Sequence, residues 1–348
     1  ISSIYQLGDA MNVKMTIGEI ARIAGVSKTT VSRVLNNKPD VDPSTREKIL
    51  NLIAKYDFQP NAFAKAISLQ KSNHIGLIIP HKAEYVFSNP FYTEVMRGVS
   101  TEVDEQNYYL LICYAHEANY LDIYRQKRVD GFVLLSPGSF HKNIIKTLNE
   151  ENVPFVSTAQ ISDEDDMTFV DVDNFHGATL VMEHLVELGH RRIAYLGKPS
   201  LKSSQDRFNG YRAILEKHHL PYDENLVLIT DTSSVESGHT YTARLLEVEP
   251  PPTAIFLAND VMAIGALKAI QERGLRVPQD VSVVGFDDIP FTQYLNPPLT
   301  TVRQPMFEKG VQAARLLIES LETKDTPQSV ILDVALIVRK STGPAPRI

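Results

Sequence analysis

Four polar side chains in one short stretch carry the clearest chemistry in the sequence: Lys28, Thr29, Ser32 and Arg33. In a helix over Lys28–Leu35, Val31, Val34 and Leu35 share one face and those four share the other. A first helix precedes it. Thr16-Ile-Gly-Glu has the capping-box form, and Ile17, Ile20, Ala21 and Ala24 recur at helical spacing. Gly25 breaks that helix, and Ser27 can cap the next. Small Ala21 and Ala24 let two helices approach, with Val26 and Val31 in the shared core. The pair is a helix-turn-helix whose second helix can enter a DNA major groove, its first residues at base edges.

Other chemistries find little support. No nucleophile–base set and no glycine-rich phosphate loop is visible, so the chain is not read as an enzyme. His184, His190, His218 and His219 share no ligand spacing with a carboxylate cluster, and the acidic stretch Ser162–Met167 reads as solvated surface, so no metal is expected. The single Cys113 excludes an intrachain disulfide and a cysteine-rich zinc site. No apolar run approaches the ~20 residues of a membrane span. Residues 1–10 have neither a basic region nor a long apolar one, so a cytoplasmic protein is expected.

The elements that position these groups fall into unequal parts. Residues 1–14 read as an upstream extension, with Met11 or Met15 as natural starts. Residues 15–59 form the helical head, 60–73 a short helix and linker, and 74–348 a large body. In the head, Asp42-Pro43 starts a third helix buried through Ile49, Leu50, Ile53 and Ala54. Ten Lys/Arg against five Asp/Glu give residues 11–72 a charge of +5, although the whole chain carries −7. A basic head on an acidic body suits a nucleic-acid module fused to something else. Asn61–Leu69 is helix-capable, yet a helix of about nine residues is marginal alone.

In the body, apolar strands alternate with helical stretches. The strands read as Ile75–Pro80, Tyr109–Tyr114, Gly131–Leu135, Pro154–Ser157, Phe169–Val172, Arg192–Gly197, Leu226–Thr230, Ala254–Leu257, Val281–Gly285 and Thr301–Arg303. Between them, helices read as Phe91–Gln106, Asn174–Leu188, Gln205–His218, Ser234–Glu247 and Asp260–Arg273. The class is α/β: parallel sheets covered on both faces, in two lobes. The N-lobe takes residues 74–172 and 302–334, the C-lobe 173–301 and 335–348, with crossovers near Asp173 and Thr301. A cleft at the carboxyl ends of the strands is the expected ligand site.

The sequence resembles the LacI family of bacterial transcription regulators over residues 15–343. The matching strings include Ala24-Gly-Val-Ser-Lys-Thr-Thr-Val-Ser-Arg-Val-Leu-Asn, Pro60-Asn-Ala-Phe-Ala-Lys-Ala, Asn89-Pro-Phe-Tyr, Arg207-Phe-Asn-Gly-Tyr, Ala258-Asn-Asp-Val-Met-Ala, Val277-Pro-Gln-Asp-Val-Ser-Val-Val-Gly-Phe-Asp-Asp and Pro298-Leu-Thr-Thr-Val-Arg-Gln-Pro. The resemblance implies a homodimeric repressor on a pseudo-palindromic double-stranded operator. Its body would be a periplasmic-binding-protein-like sensor of a small-molecule effector, a sugar first. Lys28 and Thr29 would choose bases, Arg33 would contact a base or phosphate, and Thr16, Ser27, Thr30 and Ser32 would contact phosphates. Asn61, Ala64, Lys65 and Ile67 match a hinge helix that wedges the minor groove, with Ile67 where Leu and Lys65 where Arg is usual. Residues 115–128 stand where the family usually has a longer helical excursion.

For the effector, the resemblance implies Arg207, Asn259 and Asp287 as hydrogen-bonding groups and Phe91, Tyr92 and Phe286 as stacking faces. Alternatively, Arg207 and Asp287 form a structural ion pair across the cleft, and Phe91 anchors a core helix. Gly210 and Gly285 are expected where the backbone needs room, and Asp173 and Asn174 as a crossover and helix cap outside the site. A regulator switched by a purine corepressor or a phosphorylated carrier protein is the alternative function.

Overall fold

The computed structural model describes residues 15–35, 37–58, 71–79, 81–114, 120–136, 142–162, 167–197, 202–230 and 232–346. The chain divides into two units, Ile1–Ser72 and Asn73–Ile348. The expected hinge-helix residues Asn61, Ala64, Lys65 and Ile67 lie outside the described residues, as do most of the acidic stretch and the start of 115–128.

The first unit holds α1 (Ile17–Ala24), α2 (Lys28–Leu35) and α3 (Pro43–Lys55). Thr16 and Glu19 close a reciprocal capping box on α1, and Gly25 ends it in the left-handed region at φ 72°, which costs glycine little. The Asp42 carboxylate accepts from the Ser44 and Thr45 amides at 2.8 and 3.1 Å, with Pro43 in the first turn of α3. Ile20, Ala21, Ala24, Val31, Val34 and Ile49 seal the core, with Phe58 closing its edge. The buried face of α3 differs from expectation. Leu52 and Ile53 flank Ile49, whereas Leu50 and Ala54 face solvent. α3 packs against both α1 and α2, which turns its inward stripe one residue round the helix.

The second unit runs in chain order through β1 (His74–Ile79), α4 (Ala83–Ser88), α5 (Pro90–Glu105), β2 (Tyr109–Tyr114), α6 (Tyr120–Arg125), β3 (Gly131–Leu134), α7 (Lys142–Glu150), β4 (Phe155–Ser157), β5 (Val170–Val172), α8 (Asn174–Glu187), β6 (Ile193–Gly197), α9 (Lys202–Lys217), β7 (Val227–Ile229), α10 (Val235–Leu245), β8 (Ala254–Leu257), α11 (Asp260–Glu272), β9 (Ser282–Asp287), β10 (Thr300–Arg303), α12 (Met306–Thr323), β11 (Val330–Leu332) and β12 (Ala335–Ile337). The N-lobe sheet is parallel in the order β2-β1-β3-β4. The C-lobe sheet has the order β12-β10-β9-β8-β6-β7, with β12 alone antiparallel. A third sheet is a two-stranded parallel ribbon of β5 and β11.

Central strands are buried end to end, as in β3, β6, β8 and β9. That follows from helices on both faces. In the N-lobe, α5 and α12 cover one face through Val95, Val99, Ala313, Ala314 and Leu317. Gly98 and Gly310 set their approach. A Cβ on Gly98 would sit 2.0 Å from the Phe307 carbonyl oxygen, and one on Gly310 would sit 2.1 Å from that of Val95.

The chain crosses between lobes three times: at Asp173, after Arg303, and between Leu332 and Ala335. The second crossing comes later than the expected Thr301, because Thr300–Arg303 pair with β9 and so stay in the C-lobe sheet. Helices α4, α6, α7 and α12 and strands β11 and β12 were not among the elements read from the sequence.

Candidate functional site

The head presents its polar residues as a surface. Thr16, Ser27, Lys28, Thr29 and Arg33 are exposed, and Thr30 and Ser32 are half-buried. The hydroxyl of Ser27 accepts from the Thr30 amide at 3.1 Å and lies 2.9 Å from the Thr30 hydroxyl, so both are organised at the start of α2. Unsatisfied amides at a helix start favour phosphate oxygens. Thr16 plays the same capping part for α1. Arg33 is engaged with Asp40 at 2.9 Å, both more than half exposed. Such a surface pair is worth little, so leaving it for a phosphate or a base edge costs little.

In the second unit a cleft opens between the lobes, lined by residues of both. Its N-lobe wall is aromatic: Tyr85 on α4, and Phe91 and Tyr92 on α5. The Tyr85 and Tyr92 rings meet edge to face at 5.7 Å, and Phe91 and Tyr92 at 5.2 Å. Asn89 caps α5 by accepting from the Phe91 amide, which orients this wall. Burial pushes the Tyr92 phenol well up, so it stays protonated as a donor.

The C-lobe wall is polar and lies at strand ends, where such sheets bind ligands. Asp287 ends β9, Asn259 follows β8, and Arg207 projects from α9. Asp287 and Asp288 both have positive φ, 127° and 57°. Side chains other than glycine rarely adopt that region, and strain of this kind persists only where neighbours enforce it. Here Arg303 and Arg339 donate to the Asp288 carboxylate at 2.7 and 2.6 Å. Burial raises the Asp288 carboxyl, but these arginines outweigh it and hold it below its usual value.

The cleft floor is a closed ring of side chains. Arg207 Nε donates to Asn174 Oδ1 at 2.9 Å, and Asn174 Nδ2 reaches Asp171 Oδ1 at 3.5 Å. Lys309 Nζ donates to Asp171 Oδ1 at 2.9 Å and to Gln304 Oε1 at 3.2 Å. Gln304 Nε2 donates to Asp287 Oδ1, which lies 3.7 Å from Arg207 Nη1. Arg207 Nη1 also donates to the Ala258 carbonyl, and its guanidinium lies 3.6 Å above the Phe286 ring. Burial pushes the Asp287 carboxyl up to about 6, with Arg207 chief among the groups opposing it. Behind it, burial and the charge of Asp287 push Asp260 up to about 8; Thr301 and the Ile289 amide donate to its two oxygens.

Five of the six expected effector residues line this cleft: Phe91, Tyr92, Arg207, Asn259 and Asp287. Phe286 does not. It is fully buried on the opposite side of β9 from Asp287, beneath Arg207 and against Gly177. Successive strand residues point to opposite faces, so the two could not both face the cleft. Nor is Arg207–Asp287 an ion pair across the cleft, since both belong to the C-lobe. The Asn259 side-chain Oδ1 is committed to capping α11, accepting from the Met262 amide at 2.9 Å. Asp173, read as the crossover, also caps α8, and Asn174, read as a helix cap outside the site, instead holds Arg207. Gly210 and Gly285 do mark close approaches, to the Phe175 carbonyl and to the Asp260 carboxylate. The sequence reading missed Asp171, Gln304 and Lys309. Gln304 sits inside a quoted family string, but nothing local marks the other two.

His190 and His218 serve the C-lobe's own structure. His190 spans Thr253 and the Gly343 carbonyl, and His218 pairs with Glu183. Among the described residues no group of three or more His, Cys, Asp or Glu could hold a metal ion. No described helix is long and apolar enough to cross a membrane.

Comparison with known proteins adds the following. Residues 16–61 match the family model described as bacterial regulatory proteins, lacI family, and residues 182–342 match a periplasmic binding protein-like domain. The chain is 36% identical over 320 residues to the probable HTH-type transcriptional repressor ExuR of Bacillus subtilis (strain 168), covering 92% of this chain and 95% of that one. Among solved structures, a transcriptional regulator CelR–cellobiose complex matches at 32% identity and TM-score 0.72. The lac repressor dimer bound to operator and the anti-inducer ONPF matches at 29% and TM-score 0.80. Each match covers 94% of this chain and 99% of the other.

Proposed function

The chain belongs to the lacI family of bacterial regulatory proteins, and from that premise we propose how its two units divide the work of a DNA-binding transcriptional repressor. The head binds the operator. α2 enters the major groove with Lys28 and Thr29 at base edges. Arg33 leaves Asp40 for a base or phosphate, and Thr16, Ser27, Thr30 and Ser32 fix register on the backbone. Asn61, Ala64, Lys65 and Ile67 form the hinge segment, with Ile67 as an apolar wedge in the minor groove. Two copies act together on a pseudo-palindromic operator in the cytoplasm.

The body senses a small neutral or weakly polar polyol, a sugar in the first instance, and needs neither cofactor nor catalysis. One observation carries this reading: an aromatic wall and a wall of fixed donors and acceptors line the same cleft. Rings stack on the apolar C–H face of a sugar while Asp287 accepts from its hydroxyls and Arg207 donates to its oxygens. The cellobiose complex of CelR supports the same ligand class. Ligand binding biases the body between two arrangements and so changes operator affinity, by no more than its differential affinity for them. A hundredfold change needs about 2.7 kcal/mol of coupling.

The test is a thermal-shift scan of the whole chain against ribose, glucose, cellobiose, a hexose phosphate and a purine base, followed by operator binding with the best ligand. Ligand at 100 times its dissociation constant adds about 2.7 kcal/mol of stability. A sugar that shifts the wild type but not Asp287→Ala, and changes operator affinity, supports the reading. A purine or phosphate response in place of a sugar response refutes the ligand class.

A further inference from the structure

We propose that the buried Asp171–Lys309 pair is a positioning device for the ligand site: it fixes which way the Gln304 amide points, and through it which oxygen Asp287 presents. The inference rests on the reading of the cleft as the ligand site.

The side chains of Lys309 and Asp171 are 3% and 5% exposed. Removing two charges from water is costly, and apolar residues of similar size often do as well or better for stability. Stability alone therefore does not account for a charge pair here.

Connectivity does. Asp171 is held by the main chain, its Oδ1 accepting from the Val172 amide at 2.8 Å and its Oδ2 from the Gln160 amide at 2.9 Å. It is a fixed anchor, and Lys309 is tied to it. An ammonium only donates, so the Gln304 atom 3.2 Å from Lys309 must be the carbonyl oxygen. The amide NH2 then faces Asp287 and occupies Oδ1. The reversed amide would set NH2 against an ammonium and a carbonyl oxygen against a carboxylate. Only one orientation is tolerated, and it leaves Asp287 Oδ2 as the acceptor for a ligand hydroxyl.

The charges around Asp287 make this role separable from packing. Arg207 on α9 and Lys309 on α12 favour its ionised form, and Gln304 donates to it. Asp260 on α11 also faces it, but burial and the Asp287 charge keep Asp260 protonated in the range where Asp287 titrates, and the phenols of Tyr85 and Tyr92 face it from α4 and α5. Removing Lys309 deletes one of two cations and moves the protonation of Asp287 to higher pH.

The test compares full-length wild type, Lys309→Met, Asp171→Asn and the double variant, each titrated calorimetrically across pH with whichever of ribose, glucose and cellobiose the wild type binds. Each single change leaves a buried partner uncompensated and lowers the melting temperature. The double change restores it, yet ligand binding stays about tenfold or more weaker, as for a lost hydrogen bond to a charged group. In wild type, binding falls as pH drops through about 6. In Lys309→Met and in the double variant the fall begins at higher pH. A double variant with wild-type affinity and an unshifted pH profile overturns the proposal and leaves the pair purely structural. A wild type that binds none of the three sugars, or an Asp287→Ala variant that binds normally, removes the ligand-site reading and this inference with it.

Discussion

On α2 the side chains proposed to read DNA stand in solvent above a sealed apolar face. In the cleft, the ionised groups of the floor are buried and each is satisfied by another. Arg33 is 54% exposed at its side chain; Arg207 is 8%. The first can change partners at little cost, because water replaces what it leaves. The second holds Asn174, the Ala258 carbonyl and Asp287 at once, so losing it strands several buried groups. A surface for a polymer can be assembled from independent residues. A floor for a small molecule is one connected object, in which recognition and stability are not separable.

Arg207→Ala should give the largest effect, since it leaves Asp287 buried without its nearest cation. The body should lose about 3–5 kcal/mol in chemical denaturation, along with sugar binding. An unchanged denaturation midpoint would break the contrast. Next comes Ile20→Ala in the fully buried core of the head. A loss of about 2–5 kcal/mol should abolish operator binding while calorimetry still records the body's transition unchanged. Lys28→Ala should be smaller and purely functional. Melting stays within about 0.5 kcal/mol of wild type, and operator binding by fluorescence anisotropy weakens by about 1–3 kcal/mol. A destabilised Lys28→Ala would mean that the head, too, merges recognition with stability.

The floor also sets a pH dependence. Asp260 has a folded-state carboxyl raised to about 8 from the model-peptide value of 3.8, chiefly by burial. Between those values the folded state holds the proton more tightly than the unfolded state, so stability falls as pH rises and levels off above about 8. Thermal melts from pH 6 to 9 should show that slope in wild type, and Asp260→Asn should flatten it. An identical slope in the variant would assign the dependence elsewhere.

The head was legible because its signals are local: a capping box, a glycine at the turn, and apolar residues at helical spacing all lie within twenty residues. The parallel strands were legible because strands buried on both faces leave near-continuous apolar runs. α12 was not, although it is the longest described helix. Its buried stripe contains Lys309 and Gly310 among Val311, Ala314 and Leu317, and both blur the apolar period. β11 and β12 have only three residues each, too few to show alternation. Phe286 was expected as a stacking face beside Asp287, but the two-residue period of a strand sends neighbours to opposite faces. Lys309 lies 138 residues from Asp171, so only the folded chain could reveal that pair.

The ribbon of β5 and β11 has a mechanical consequence. Its strands carry the last N-lobe residues before the first and the third crossing, paired Val170 with Val330 through Val172 with Leu332. Two of the three connections are thus laced side by side, and Asp171 of the floor is one of the paired residues, opposite Ile331. Hydrogen bonds across such a ribbon fix the register of the two strands. Where they leave the N-lobe, the two connections are therefore held at one fixed register. The cleft floor and the paired connections thus share one residue.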